Sequence, residues 1–211
     1  FADWRLTLVS DDGADYESLL GPLGLADPRI RFHSTGGVGK GAPAARNLAL
    51  EAIDTDYAAV LDADDRMKPG KLAQVVAALE AYAVVSTALD VMDEGYRTLR
   101  TVGAGPDCEL GPAAHKFVNL SMDTMIAWDR RRCDARFDPS LSNMADLEFL
   151  MQLFRTAPTS FHLGAPLHDY VKVTSSMSNN AGTTEGMIRS KTELLDRLSQ
   201  GRYPMADASG P

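Results

Sequence analysis

The sequence is short of several things. It has two cysteines, Cys108 and Cys133, in 211 residues, and they form no metal-ligand spacing. A disulfide framework or a zinc module is therefore not what organises it, and reduced thiols in a cytosolic setting are expected. No apolar run is long enough to span a bilayer, and no signal peptide opens the chain. Positive charge is scarce: 21 Lys and Arg against 29 Asp and Glu leave a net charge of −8. A general nucleic-acid binder needs a basic face, so that class is set aside. Nucleotides are not excluded, because a bound cation can reverse the local sign. There are no internal repeats and no low-complexity tract. Hydrophobic residues make up 45% and charged residues 24%, enough for an unstapled core.

The start of the chain, Phe1-Ala2-Asp3-Trp4, runs directly into a strand without an initiator Met and reads as a fragment. Arg5 to Val9 is an expected strand, stopped by Ser10-Asp11-Asp12-Gly13. A short helix is expected over Asp15–Leu20, and a second strand around Ile30 and Phe32. The loop Ser34-Thr35-Gly36-Gly37-Val38-Gly39-Lys40-Gly41 then leads to Pro43, which suits the first turn of a helix. That helix carries Ala45, Leu48, Ala49 and Ala52 on one face. Tyr57 to Leu61 does not alternate and reads as a strand buried on both faces.

The next helix starts at Pro69, with Leu72, Val75, Val76 and Leu79 as its core stripe. Strands are expected over 83–89, 96–102, 122–128, 160–163 and 168–173. Leu147, Leu150, Met151 and Phe154 mark a helix over Ala145–Arg155. A last amphipathic helix runs from Glu185 to Leu198, with Ile188, Lys191, Leu194, Leu195 and Leu198 on one side. Thr174 to Thr184 is expected to be a mobile loop and Tyr203 to Pro211 a frayed end. Alternating strands and helices in the first half predict an α/β fold with a doubly wound, mainly parallel sheet.

The chemistry gathers at strand ends. Tyr57-Ala58-Ala59-Val60-Leu61 ends in Asp62-Ala63-Asp64-Asp65, three carboxylates within four positions. Carboxylates so close repel, and a hard divalent cation with oxygen ligands is the usual remedy. A solvated acidic turn is the plain alternative. Ligands of open α/β sheets bind just past the carboxyl ends of strands. Asp11-Asp12-Gly13 also follows a strand, Arg46-Asn47 lies in the helix between the two acidic turns, and Asp146 opens the helix of Leu147 and Leu150. His33, His115 and His162 read as structural, and Trp4 and Trp128 as core.

These segments together resemble a family 2 glycosyltransferase of the GT-A fold. The resemblance rests on Val9-Ser10-Asp11-Asp12-Gly13; on Gly41 with Ala45-Arg46-Asn47; and on Val60-Leu61-Asp62-Ala63-Asp64-Asp65 with Pro69 and Leu72. It continues through Phe137-Asp138-Pro139-Ser140-Leu141 with Asp146, and through Tyr170 with Ser176-Met177-Ser178, in the family's order over residues 4–180. It implies one GT-A-like domain over 1–183, with a nucleotide-sugar half to about residue 90, an acceptor half after it, and a C-terminal helix and tail over 184–211. The variable part of the acceptor half would be Asp90 to Asn119.

The implied activity is inverting, metal-dependent transfer from a nucleotide-diphosphate sugar, a UDP-sugar above all, to an acceptor hydroxyl on a saccharide, lipid or protein. Asp12, supported by Asp11, would read the base. Arg46 would be a pyrophosphate or structural contact near the donor, Asp62 would sit at the ribose or a metal-bound water, and Asp64 would bind Mn²⁺ or Mg²⁺. Asp146 would be the general base, a role that contributes roughly 10²–10⁴-fold. A cytoplasmic setting follows by analogy, with peripheral association at the inner face of a membrane left open, as is the oligomeric state.

The chain departs from the family pattern in places. Ala145 stands where the family has Glu, which makes Glu148 an alternative base. Gly39 stands where Asn is frequent. Val171 and Val173 replace a late Arg and His, for which Lys172 and His168 are the nearest substitutes, although both read more simply as polar residues of an exposed strand. The family's first strand and helix are expected to precede Phe1. Two other functions compete: a phosphatase beginning Leu61-Asp62-Ala63-Asp64, and a sugar-nucleotide binding module without turnover.

Overall fold

A computed structural model describes residues 1–116, 120, 122–141, 143–173 and 183–205. Ser176-Met177-Ser178 and most of the expected 174–184 loop lie outside the described residues.

Nine strands and five α-helices are described. The strands are β1 Leu6–Ser10, β2 Ile30–Ser34, β3 Tyr57–Ala59, β4 Arg66–Met67, β5 Val84–Met92, β6 Thr98–Val102, β7 Cys108–Leu110, β8 Ile126–Asp129 and β9 Ser160–Val171. The helices are α1 Tyr16–Leu20, α2 Ala42–Ala52, α3 Lys71–Leu79, α4 Ala145–Leu153 and α5 Thr183–Ser199. β1 and β2 pair in parallel as a two-stranded sheet. The larger sheet runs β3-β8-β5-β9-β4, with β6 on β5 and β7 on β9. In it β5 and β9 are parallel, and β8 is antiparallel to both β3 and β5, so the sheet is mixed. β1 pairs only with β2 and β3 only with β8 among the described strands.

The core lies on β5, β8 and α4. Phe137 stacks on Phe149 at 4.1 Å between ring centroids, and Trp128 meets Phe149 edge-on at 4.8 Å. Burying an aromatic or aliphatic side chain of this size contributes about 1.5–3 kcal/mol, and this cluster also takes in Leu50 of α2 and Leu153 and Phe154 at the end of α4. α3 lays Val75 and Leu79 against Val85 and Ala127. α5 is fastened to α4: Leu194 joins Met151 and Tyr203, and Arg197 bonds Asp138 at 2.6 Å.

Several sequence expectations need correction. Among the described residues Tyr57 to Leu61 is not buried on both faces: the strand stops at Ala59, and Ala59 and Leu61 are exposed, with β8 the one strand paired to β3. The two late strands are one, β9, which passes Gly164 and Pro166 by register shifts against β5. Gly164 keeps its bonds there, donating to Asp107 and accepting from Gly105. The buried face of α5 is Gly186, Ser190 and Leu194, while Ile188 and Leu195 face solvent. Trp128 is core, but Trp4 is half-exposed with the Arg29 guanidinium 3.8 Å from its ring centre. His115 and His162 are buried and bonded, to Ser160 in one case and to Ser86 and Gly103 in the other. Cys108 and Cys133 are free thiols.

Candidate functional site

Two acidic turns and the start of α4 are linked through α2. The first turn, after β1, clasps the glycine-rich loop. The Asp11 carboxylate accepts from the Thr35 hydroxyl at 2.7 Å and from the Lys40 and Gly41 amides at 3.0 and 2.8 Å. These bonds, the Thr35 hydroxyl first, hold its pKa below the usual carboxylate value. Gly41 has φ 96°, a conformation only glycine enters readily, and it is the residue from which α2 starts. Asp11 is thus occupied with shaping the loop and fixing the start of α2. Asp12 accepts from the Ala14 amide at 3.0 Å, the Ser10 hydroxyl at 2.9 Å and the Tyr16 hydroxyl at 2.7 Å. These bonds, the Ala14 amide first, depress its pKa. A carboxylate has about four lone-pair sites, so exposed Asp12 keeps one for a further donor.

α2 carries Arg46 and Asn47 on successive positions. Asn47 grips the backbone of Phe137 with both ends of its amide, at 2.7 and 2.8 Å, and so pins the segment leading to α4. Arg46 donates to Asp62 at 2.6 Å and pairs with Asp123 through its other terminal nitrogen. Asp146 lies close enough to act on the same guanidinium. One arginine therefore stands among three carboxylates. Desolvation pushes Asp123 up to about 7, against the pull of Arg46. Asp146 is raised for the same reason. Its position at a helix start favours the ionised form, but burial outweighs it.

Asp146 is set by an unusual turn. Met144 precedes α4 with φ 60° and ψ 21°, a region that non-glycine residues seldom occupy. The helix that follows holds Glu148 facing inward. Glu148 is buried, accepting from the Tyr203 hydroxyl at 2.8 Å and from the Gln152 amide. The reading of Glu148 as an alternative base is set aside, because it faces the α4–α5 core. Glu148→Gln is expected to alter the melting temperature and leave turnover as it was. A fall in turnover as large as that of an Asp146 variant would restore Glu148 as the base.

In the second turn the three carboxylates have different fates. Asp62 is held by Arg46. Asp65 is buried, bonded to His168 at 3.0 Å and to the Val171 amide at 2.9 Å. Asp64 is exposed; its pKa is raised, chiefly by partial burial and then by the charges of Asp65 and Asp62. Among the described residues no group of three or more His, Cys, Asp or Glu side chains could hold a metal ion. One free carboxylate beside two occupied ones fits a divalent cation whose remaining ligands come from phosphate oxygens and water, rather than a cage made by protein.

Arg46, Asp62 and Asp146 are thus brought to one place. Asp12 and Asp11 reach it only through the loop and α2. Asp123 and the partners of Asp65 escaped sequence reasoning. Asp123 sits in a 3-10 turn, Asp123–Met125, before β8, with nothing local to mark it. His168 is no polar residue of an exposed strand: it is fully buried.

Among the described residues no helix is long and apolar enough to cross a membrane. No curated protein matches the chain. Solved structures share its fold. The crystal structure of S. aureus TarS 1-349 in complex with UDP-GlcNAc matches with a TM-score of 0.71 at 15% identity, covering 90% of this chain and 57% of that one. The same protein in complex with UDP gives 0.65 at 14%, covering 80% and 51%. The TarS structure not limited to residues 1-349 gives 0.68 at 14%, covering 92% and 34%. At these identities the likeness is one of fold, the GT-A fold, and the chain spans a little over half the length of the first of them. A family model described as Glycosyl transferase family 2 matches residues 7–118, more than half of the chain. That extent takes in both acidic turns, the glycine-rich loop and Arg46, and it settles the family: the chain belongs to glycosyl transferase family 2.

Proposed function

We propose that the chain transfers a glycosyl group from a UDP-sugar to an acceptor hydroxyl with inversion at the anomeric carbon. The observation that carries this reading is the Arg46 centre, where one guanidinium joins Asp62 of the donor-side turn to Asp123 and lies beside Asp146. Family membership supports the reaction class and leaves the phosphatase alternative without support. The TarS complexes with UDP-GlcNAc and UDP support a uridine donor.

Asp12 keeps one acceptor site, which suits the ring N–H of uracil. Asp146 takes the proton of the acceptor hydroxyl as that oxygen attacks the anomeric carbon. The bond from that carbon to the diphosphate oxygen breaks on the opposite face, and its electron pair leaves with the diphosphate. The raised pKa of Asp146 makes it a stronger base than an ordinary carboxylate. Mn²⁺ or Mg²⁺ held at Asp64 would supply Lewis-acid stabilisation of the charge growing on the leaving group. Asp62, neutralised by Arg46, stays available to the ribose through its second oxygen.

Calorimetric titration with UDP, with and without Mn²⁺, tests the donor site. UDP is expected to bind more tightly with Mn²⁺, and Asp64→Ala is expected to remove that difference while leaving metal-free binding in place. Equal binding by both proteins would overturn the role of Asp64. Donor binding without any transfer to screened acceptors would favour the non-catalytic binding module.

A further inference from the structure

The apolar stripe of α3 begins with a lysine. Lys71 stands one turn before Val75 and two before Leu79, and it is 2% exposed. Its Nζ donates to the Thr124 carbonyl at 2.7 Å and lies 3.0 Å from His168 Nδ1. His168 Nε2 lies 3.0 Å from one oxygen of Asp65, whose other oxygen accepts the Val171 amide. An ammonium has donors and no acceptor. A carboxylate only accepts, so the ring hydrogen of His168 sits on Nε2, facing Asp65, and Nδ1 accepts from Lys71. A continuous row results: Thr124, Lys71, His168, Asp65.

The row is an expensive way to fill space. Burial drags Lys71 down to about 7, and the Asp65 charge only partly restores it. Well-packed apolar residues in place of a buried ionic group are often neutral or stabilising. What the row supplies is position. The Asp62–Asp65 turn is closed by the Asp65 amide donating to the Asp62 carbonyl at 3.1 Å. Arg46 fastens its first carboxylate and His168 its last, leaving Asp64 between two fixed points. Both fastenings end on neighbouring residues, Arg46 on Asp123 and Lys71 on Thr124.

We propose that Lys71 and His168 are positioning residues of the donor site: with Asp65 they form a buried brace that sets where Asp64 presents its carboxylate to a nucleotide-bound divalent cation. The inference rests on the donor-site reading of Asp64. Neither residue touches the ligand; both act through Asp65.

The test compares the wild-type chain with Lys71→Met, His168→Leu and His168→Gln. Three quantities are measured: the melting temperature, the exchange rate of the Asp65 amide hydrogen without ligand, and the affinity for UDP with and without Mn²⁺. Lys71→Met leaves His168 Nδ1 and the Thr124 carbonyl without their donor, so it is expected to melt somewhat lower than wild type and to exchange faster at Asp65. Lys71→Met and His168→Leu are expected to weaken Mn²⁺–UDP binding about 10–100-fold, the usual cost of removing a partner that orients a metal ligand, with metal-free UDP binding unchanged. His168→Gln, which keeps an N–H for Asp65, is expected to recover part of the loss. A lower melting temperature with unchanged exchange and unchanged Mn²⁺–UDP affinity would show that the two residues only pack, and would overturn the proposal. Should the wild type bind no Mn²⁺–UDP, the donor-site reading fails, and the ligand-free exchange still decides the brace: faster exchange in the variants supports it, and unchanged exchange overturns it.

Discussion

Asp146→Asn is expected to lower turnover by roughly 10²–10⁴-fold, the usual worth of a positioned general base, while UDP affinity stays near the wild-type value. The amide has the size of the carboxylate and cannot take a proton. Asp146 reaches the donor side only through the charges of Arg46 and Asp62, so kcat falls far more than the donor KM changes. The wild-type pH profile carries a second signature. Asp146 must be unprotonated to act, and desolvation raises its pKa above the ordinary 3.8. Turnover therefore climbs as pH rises through that elevated value and declines on the acid side sooner than for an exposed aspartate. Asp146→Asn removes this limb together with the activity. A variant with near-normal turnover, or one that lost donor binding equally, would sink the assignment.

Arg46→Ala is expected to be the most destabilising substitution in the site, and its cost depends on pH. The Arg46 and Asp123 side chains are 18% and 14% exposed. Removing one partner of a buried ion pair costs about 3–5 kcal/mol; the lower end applies here, because Asp62 remains a third exposed. The sign with pH follows from Asp123. Its pKa is about 7 in the fold against an ordinary 3.8. Between those values the folded chain holds a proton that the unfolded chain has lost, so this group's contribution to stability falls as pH rises across the window. Without Arg46 the charged form is disfavoured further, and protonation costs nothing in lost pairing. The penalty is therefore largest near pH 8 and shrinks toward pH 5. Urea unfolding at both values measures it, and an equal loss at the two would refute the account. Arg46→Lys is expected to rescue only in part, since it lacks the rigid planar fork that reaches Asp62 and Asp123 from two separate nitrogens.

The parts of the fold that sequence reasoning reached are those with local signals. α2, α3 and α4 have helical periodicity and start within two residues of Pro43, Pro69 and Ala145, and β1 ends where turn residues place its end. The misses share a cause: their determinants are distant in sequence. The exposure of β3 depends on which strands lie beside it, and Gly164 and Pro166 look like a break until β5 and the Asp107 loop supply their partners. In the site, the strand-end acids and Arg46 stood out because motif and position coincide. Asp123 did not, because its importance comes from an arginine 77 positions earlier. Lys71 could have been noticed: a lysine one turn before Val75 and two before Leu79 occupies a core position.

The thin burial of β1, β2 and α1 bears on how the described part of the molecule comes apart. β1, β2 and α1 bury almost nothing: of their residues, only Ser10 counts as buried. This leaf hangs on the rest through α2 and through the exposed ion pairs of Arg5 and Arg31 with Asp54, and such pairs contribute little. Segments with so few buried contacts open at lower free energy than the core does. The leaf is also the part that carries Asp11 and Asp12. Among the described residues the Asp11–Asp12 end of the site is thus its most weakly held end, and a nucleotide settling there would act as a fastener on this leaf.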